Sequence, residues 1–460
     1  MSQANYQSQT LQENKMGVMP VGRLLASMAV PMMISMLVQA VYNVVDSIFV
    51  SRISENALNA VSLAFPLQHL MIAFGAGTAL GMNTLVSRSL GAKNQDLANR
   101  AAGTGIFLFA VTYILFALIG FFGARAFYLA QTDVVEIVEY GVDYTSICLG
   151  FSFGIFVQFC FEKLLQSTGR ATISMITQLI GAVTNIILDP ILIFGYFGLP
   201  AMGVKGAAIA TVAGQILAAV VAMIANFKIN KELQISIKNI RWNTEIAREI
   251  YRVGLPSTIM QSIGSVMTFG MNKILIAFTT TATAVFGAYF KLQSFVFMPI
   301  FGLNSGMVPI ISYNYGAGKP DRIKRTIFLS LSTAVSIMIV GLLIFELMPA
   351  ALLSLFDASD YMLSIGVPAL RIIGTTFLFA GFCIISGSVC QAIGNPMHSL
   401  ITSVCRQLVV LLPSAWLLAQ TGRLELVWFA FPIAEIVCAI LSAIFLRKTL
   451  KSASASIENR

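Results

Sequence analysis

Apolar residues run along this chain in long blocks, separated by short polar connections. A helix needs roughly 20 apolar residues to cross a bilayer. Twelve blocks meet that length: residues 24–50, 57–87, 101–124, 138–165, 171–196, 204–227, 253–279, 282–313, 326–348, 359–389, 397–420 and 425–446. Several are longer than a bilayer requires, which predicts tilted helices. The expected class is an all-α integral membrane protein.

The blocks repeat. The two halves align without a gap at an offset of 225, so that Pro31 meets Pro256, Leu67-Gln68 meets Leu292-Gln293, and Gly77 and Gly81 meet Gly302 and Gly306. "LGAKNQDLANR" (90–100) lies over "YGAGKPDRIKR" (315–325), and Gln166 and Gly169 lie over Gln391 and Gly394. The matches are glycine, proline, glutamine and charge at equivalent points of the hydrophobic pattern. Six spans per half give both halves one orientation, which predicts two parallel-repeat six-helix bundles with a binding cavity between them. The expected organisation is a disordered tail over 1–20, an N-lobe over 21–228, an amphipathic linker over 229–252, a C-lobe over 253–450 and a tail over 451–460.

Polar positions inside the blocks follow the helical period, and residues three and four apart share a face. Ser35, Gln39, Asn43 and Asp46 form one stripe, Gln158, Glu162 and Gln166 a second, Gln178, Gly181, Asn185 and Asp189 a third, and Thr211 with Gln215 a fourth. Four stripes in one lobe predict a shared polar interior, because none can face lipid cheaply. Pro190 frees the carbonyl near position 186. Carboxylate, amide oxygen, hydroxyl and free carbonyl together suit a hard cation. Buried carboxylates equally suit a proton, so H⁺ and Na⁺ both stay open. Polar residues also join helices by hydrogen bonds, and this reading suits Gln158, Gln178 and Ser35. A neutral residue would do the same at lower cost than Asp46 or Asp189. Glu162 either lines the cavity and meets cationic cargo, which we favour, or is neutralised by a lysine elsewhere. The repeat mates of Asp46, Glu162, Asn185 and Asp189 are Met271, Gly387, Val410 and Ser414, so the second lobe is expected to lack such acids. It carries a neutral stripe of Gln261, Ser265, Thr268 and Asn272. Of its cations, Lys291 and Arg406 are read as snorkelling from helix ends, and Arg371 has no assigned role.

Composition agrees. The 460 residues are 57% hydrophobic and 11% charged, against about 25% charged in a soluble domain. Twenty of the 29 Lys and Arg fall on the side of the termini and four on the other. This predicts both termini in the cytoplasm and explains the net charge of +9 without nucleic acid. Six cysteines in apolar stretches, with no metal-ligand spacing, read as small core residues. Two histidines, His69 and His398, build neither a metal centre nor a nucleophilic site. An enzyme is therefore excluded, and so is a receptor, for want of a soluble domain.

"NVVDSIFVSR", "GAKNQDLANR", "LQSTGRA" and "NIILDPILIFG…GVKGAAIAT" resemble the multidrug and toxin extrusion (MATE) transporters, in a bacterial branch, from about 20 to 450. The resemblance implies two bundles in a V and export of amphipathic, cationic compounds in exchange for H⁺ or Na⁺, from the bacterial plasma membrane. It implies a coupling site of Asp46, Tyr144, Asn185 and Asp189, with Thr211 as partner. It implies no cofactor and no permanent metal, with transient Na⁺ at Asp46, Asn185 and Asp189. Glu162 resembles an acid placed near cargo. The substrate cavity is expected to draw on Gln39, Asn43, Glu162, Gln166, Gln261, Asn272 and Gln293. The partners expected are small amphipathic molecules and the lipid bilayer, with no nucleic acid, for a monomer. The alternative function is a flippase of a lipid-linked oligosaccharide, which would favour a basic cavity.

Overall fold

A computed structural model describes residues 14–458. Twelve long helices fill it, and the described residues contain no strand. The first six are α1 (Val21–Ser51), α2 (Glu55–Gly91), α3 (Gln95–Leu129), α4 (Val135–Ser167), α5 (Ala171–Phe194) and α6 (Val204–Ile229). The second six are α7 (Thr244–Ile276), α8 (Thr280–Gly316), α9 (Pro320–Leu347), α10 (Asp360–Gly374 and Phe377–Ile393), α11 (Pro396–Ala419) and α12 (Leu424–Glu458). Ten are apolar and long enough to cross a membrane, and α10 makes eleven as one span bent by 46°. Helix α7 has the length, at 33 residues, but Gln261, Ser262, Ser265 and Thr268 dilute its apolar character. The protein is a multi-pass membrane protein in which these helices form two six-helix bundles set in a V.

Side chains that face hydrocarbon need not be polar, and large apolar residues such as Phe122, Leu118 and Ile187 are exposed around the bundles. Inside, small residues let the helices approach. The halves meet at the end that carries the chain termini. There a Cβ on Gly77 of α2 would lie 2.6 Å from the Gly254 carbonyl oxygen of α7, and the mate Gly302 of α8 is pressed equally against Met33 of α1. Gly91 abuts the Tyr313 backbone, and its mate Gly316 abuts the backbone of Arg88, itself the mate of Tyr313. The seam is thus built twice by equivalent residues. Thr258 Oγ1 donates to Ala73 O across it at 3.2 Å, and Arg88 pairs with Glu249 at 3.2 Å. At the far halves of the same helices Asn43, Phe65, Ser265 and Phe269 are exposed, where the V is open.

The ends differ from expectation. Of the disordered tail expected over 1–20, residues 1–13 lie outside the described residues. Residues 14–20 are ordered: Lys15–Val18 forms a helical turn with Met16 fully buried. Asn14 Nδ2 donates to Thr168 O at 3.1 Å and to Glu232. Arg322 Nη2 donates to the Met16 and Met19 carbonyls at 2.9 and 2.8 Å. This segment therefore ties the two halves together across the seam. The stretch 229–252 holds one 3₁₀ turn, Ile237–Asn239, and the start of α7. Asn243 caps α7 at the Ile246 N–H, so the last part of the expected linker, from Thr244 on, is the first turns of α7. The expected tail over 451–458 is the last part of α12.

Candidate ion-coupling site

Helix α5 carries its polar stripe on the face that looks into the first bundle. Gly181 clears the way for α6, where a Cβ would lie 3.1 Å from the Gly214 carbonyl. One and two turns further on, Asn185 and Asp189 are 2% and 0% exposed. With its amide oriented to satisfy both ends, Asn185 Nδ2 donates to Asp189 Oδ2 at 3.1 Å. Its oxygen accepts from the Thr211 N–H at 3.0 Å and from Thr211 Oγ1 at 3.2 Å. Asp46 of α1 reaches the same place, its carboxylate within hydrogen-bonding reach of Asp189. Asp46 Oδ1 is enclosed without a partner. Pro190 lacks an N–H, so the Ile186 carbonyl is without its helical donor.

The fourth helix closes the site. Tyr144 is buried, and its hydroxyl accepts from Gln68 Nε2 of α2 at 3.4 Å. Tyr42, one turn before Asp46, lies beside Thr211. Neither Tyr42 nor Gln68 stood out in the sequence. Tyr42 shares the Asp46 face at four residues' spacing, and Gln68 belongs to the repeated Leu-Gln pair, so each left a signal. Among the described residues no lysine or arginine forms a salt bridge with Asp46, Asp189 or Glu162. Two carboxylates in contact, without a fixed cation, repel unless a proton or small cation sits between them.

Glu162 belongs to a second cluster, on the α5 face nearer the termini. Residues 178 and 189 are eleven apart, about 16 Å along a helix. Glu162 Oε1 accepts from Gln158 Nε2 at 2.9 Å and from Thr177 Oγ1 at 3.1 Å, and Oε2 accepts from Gln178 Nε2 at 2.8 Å. Gln166 donates to Ser174 Oγ at 2.9 Å and accepts from Lys163 Nζ at 2.8 Å. Glu162 is therefore sealed in by neutral donors and is 2% exposed.

Of the residues expected along the substrate cavity, Gln39 and Asn43 are exposed and stand away from the Asp46 cluster, so the first stripe divides between two surroundings. Gln261, Asn272 and Gln293 are half-buried on α7 and α8, and Gln293 Oε1 is enclosed without a partner. Lys273 lies over the Phe269 ring and Lys291 over the Phe356 ring.

The second bundle corrects two expectations and gives Arg371 a partner. It does contain an acid: Glu435 of α12 accepts from Arg406 Nη1 at 3.0 Å. Arg406 is not at a helix end. It sits midway along α11, in a stretch of wide π-turns over Cys405–Leu411. Arg371 is exposed, and its Nε donates to the Glu346 carbonyl at 3.3 Å.

Comparison with known proteins fits this architecture. The MatE family profile matches residues 31–191 and again 256–417. The chain belongs to the MatE family. The two matches begin 225 residues apart, the offset of the internal repeat. MatE proteins are transporters and not enzymes. The multidrug export protein MepA of Staphylococcus haemolyticus is 28% identical over 92% of this chain and 92% of its own. A protein of Shewanella oneidensis described as an FAD transporter is 25% identical over 92% of this chain and 93% of its own. An outward-facing multidrug resistance MATE transporter of the MOP superfamily superposes with a TM-score of 0.90 at 24% identity, over 96% of this chain and 99% of that one. This likeness establishes the V-shaped fold.

Proposed function

We propose that this MatE protein is a secondary antiporter that exports amphipathic, cationic small molecules in exchange for H⁺ or Na⁺ by alternating access. The observation that carries the reading is the enclosed Asp46–Asp189 pair, held by Asn185 to Thr211 and matched by no fixed positive charge. An entering ion relieves the repulsion between the carboxylates. It thereby favours whichever arrangement of α1 against α5 holds it best. Transport follows if the ion and the cargo favour different states of the two lobes. Both repeats lie in one chain, so a monomer carries the whole pathway.

The positive residues set the orientation. Lys and Arg gather on the side of the termini, which supports a cytoplasmic position for both termini in a bacterial plasma membrane. The glycine seam is then cytoplasmic and the V opens outward. Cargo binds between lobes 21–228 and 253–450, at the open faces of α1, α7 and α8 that carry Gln39, Asn43, Gln261, Asn272 and Gln293. The MepA relatives support drug export, and the acid-rich first lobe argues against a flippase of a lipid-linked oligosaccharide.

The test is accumulation of a fluorescent cation in everted vesicles under an imposed pH or Na⁺ gradient. Gradient-driven uptake is expected, and Asp46→Asn and Asp189→Asn should each abolish it. Intact uptake in both variants would overturn the site. Uptake of a flavin dinucleotide in place of the cation would overturn the cargo class alone.

A further inference from the structure

The second lobe holds a cluster that the coupling reading does not use. Cys383 of α10 and Cys438 of α12 lie on different spans, far apart in sequence, so no ligand spacing announced them. In the fold their sulfurs and a carboxylate oxygen of Glu435 all lie within 4.8 Å of one another. Glu435 and Cys438 are three apart on α12 and share a face. We infer that Cys383, Cys438 and Glu435 form a binding site for a thiophilic divalent cation of the zinc group.

Four observations support this. Mutual separations within 4.8 Å admit a tetrahedral Cys₂-carboxylate site, where metal–sulfur bonds of about 2.3 Å put the sulfurs about 3.8 Å apart. Glu435 uses Oε1 for Arg406 at 3.0 Å, while Oε2 is enclosed without a partner. Arg406 thus orients the carboxylate as an outer partner, leaving one oxygen to ligate. Charge also balances: bound ligands are deprotonated, so two thiolates and one carboxylate against a divalent ion leave one negative charge, which Arg406 cancels. The two thiol protons leave to solvent. Finally, Ser442 Oγ lies 3.9 Å from Cys438 Sγ and can supply or orient a fourth ligand. Two sulfurs select against Na⁺, Mg²⁺ and Ca²⁺, so this site is chemically distinct from the all-oxygen Asp46 cluster. A bound ion would join α10 to α12.

Cd²⁺ titration of the purified full chain in detergent tests the site. A thiolate-to-metal absorption band is expected, saturating at one equivalent. It should be lost in Cys383→Ser and Cys438→Ser and kept in Cys160→Ser, which removes a buried thiol elsewhere. Glu435→Gln should weaken Cd²⁺ binding by more than about tenfold. A second readout needs no variant: in the wild-type chain, saturating Cd²⁺ should slow alkylation of Cys383 and Cys438 while leaving Cys160 unchanged. Absence of the band, its survival in Cys383→Ser, equal alkylation with and without Cd²⁺, or isolation of the two cysteines as a disulfide would each overturn the inference.

Discussion

Arg406 and Glu435 meet at 3.0 Å inside the second lobe, at positions whose mates in the first lobe are Gly181 and Ala210. One lobe holds an ion pair at these positions and the other two small uncharged residues. Two helices cross here in both lobes, but only the second must neutralise a charge. Breaking a buried pair strands the remaining ion. Arg406→Met should cost about 3 kcal/mol, lowering the thermal midpoint of the detergent-solubilised protein. Arg406→Met with Glu435→Leu should recover most of the loss. Equal loss in the single and double variants would show that the pair contributes nothing.

The glycine seam makes a second prediction. Gly77→Val puts side-chain atoms into the Gly254 carbonyl of the facing lobe, and overpacking of this kind costs about 1–3 kcal/mol. At ~2 kcal/mol the seam-closed state loses roughly 30-fold in population. A cysteine placed at Thr258 should then react faster with an impermeant maleimide supplied from the side of the termini. An unchanged rate would show that the contact yields without opening the seam.

Glu162 accepts three hydrogen bonds from neutral donors and is nearly sealed. A glutamine there turns one acceptor oxygen into a donor that faces other donors. We expect Glu162→Gln to destabilise the protein by about 1–3 kcal/mol and to leave the range of exported compounds unchanged. A narrowed drug range at unchanged thermal midpoint would return Glu162 to the cargo path.

A pH dependence follows from Glu232, which lies between α6 and α7 outside the spans. Burial, opposed by Asn14, Arg170 and Lys15, raises its pKa from 4.5. A carboxyl whose folded pKa is raised binds its proton more tightly folded than unfolded. Its contribution is therefore fully present below 4.5 and is lost as pH rises through the raised value. Residues 14–20 should exchange amide hydrogens more slowly near the bottom of that window than at neutral pH, after correction for intrinsic exchange. Glu232→Gln should remove the difference, and an identical profile in that variant would dissociate Glu232 from the anchoring.

Much of the fold and part of the site were legible in the sequence because bilayer burial writes itself as long apolar runs. The duplication left glycines and prolines in register. Asn185 and Asp189 were expected on one helix face, and the fold sets their side chains next to each other. The first stripe divides around the helix: Asp46 shares the Tyr42 face of α1, while Gln39 and Asn43 are exposed. The Arg406–Glu435 pair and the Cys383–Cys438 approach were invisible, since each joins residues on different spans and leaves no period. Helix α7 is the least apolar span, which follows from the hydroxyls and the glutamine on its open side.

Because each half of the glycine seam is a copy of the other, the two contacts are strained by the same displacement. Neither can loosen while its twin stays shut without twisting a lobe against its own axis. A motion that parts the lobes at the seam therefore loads both contacts together.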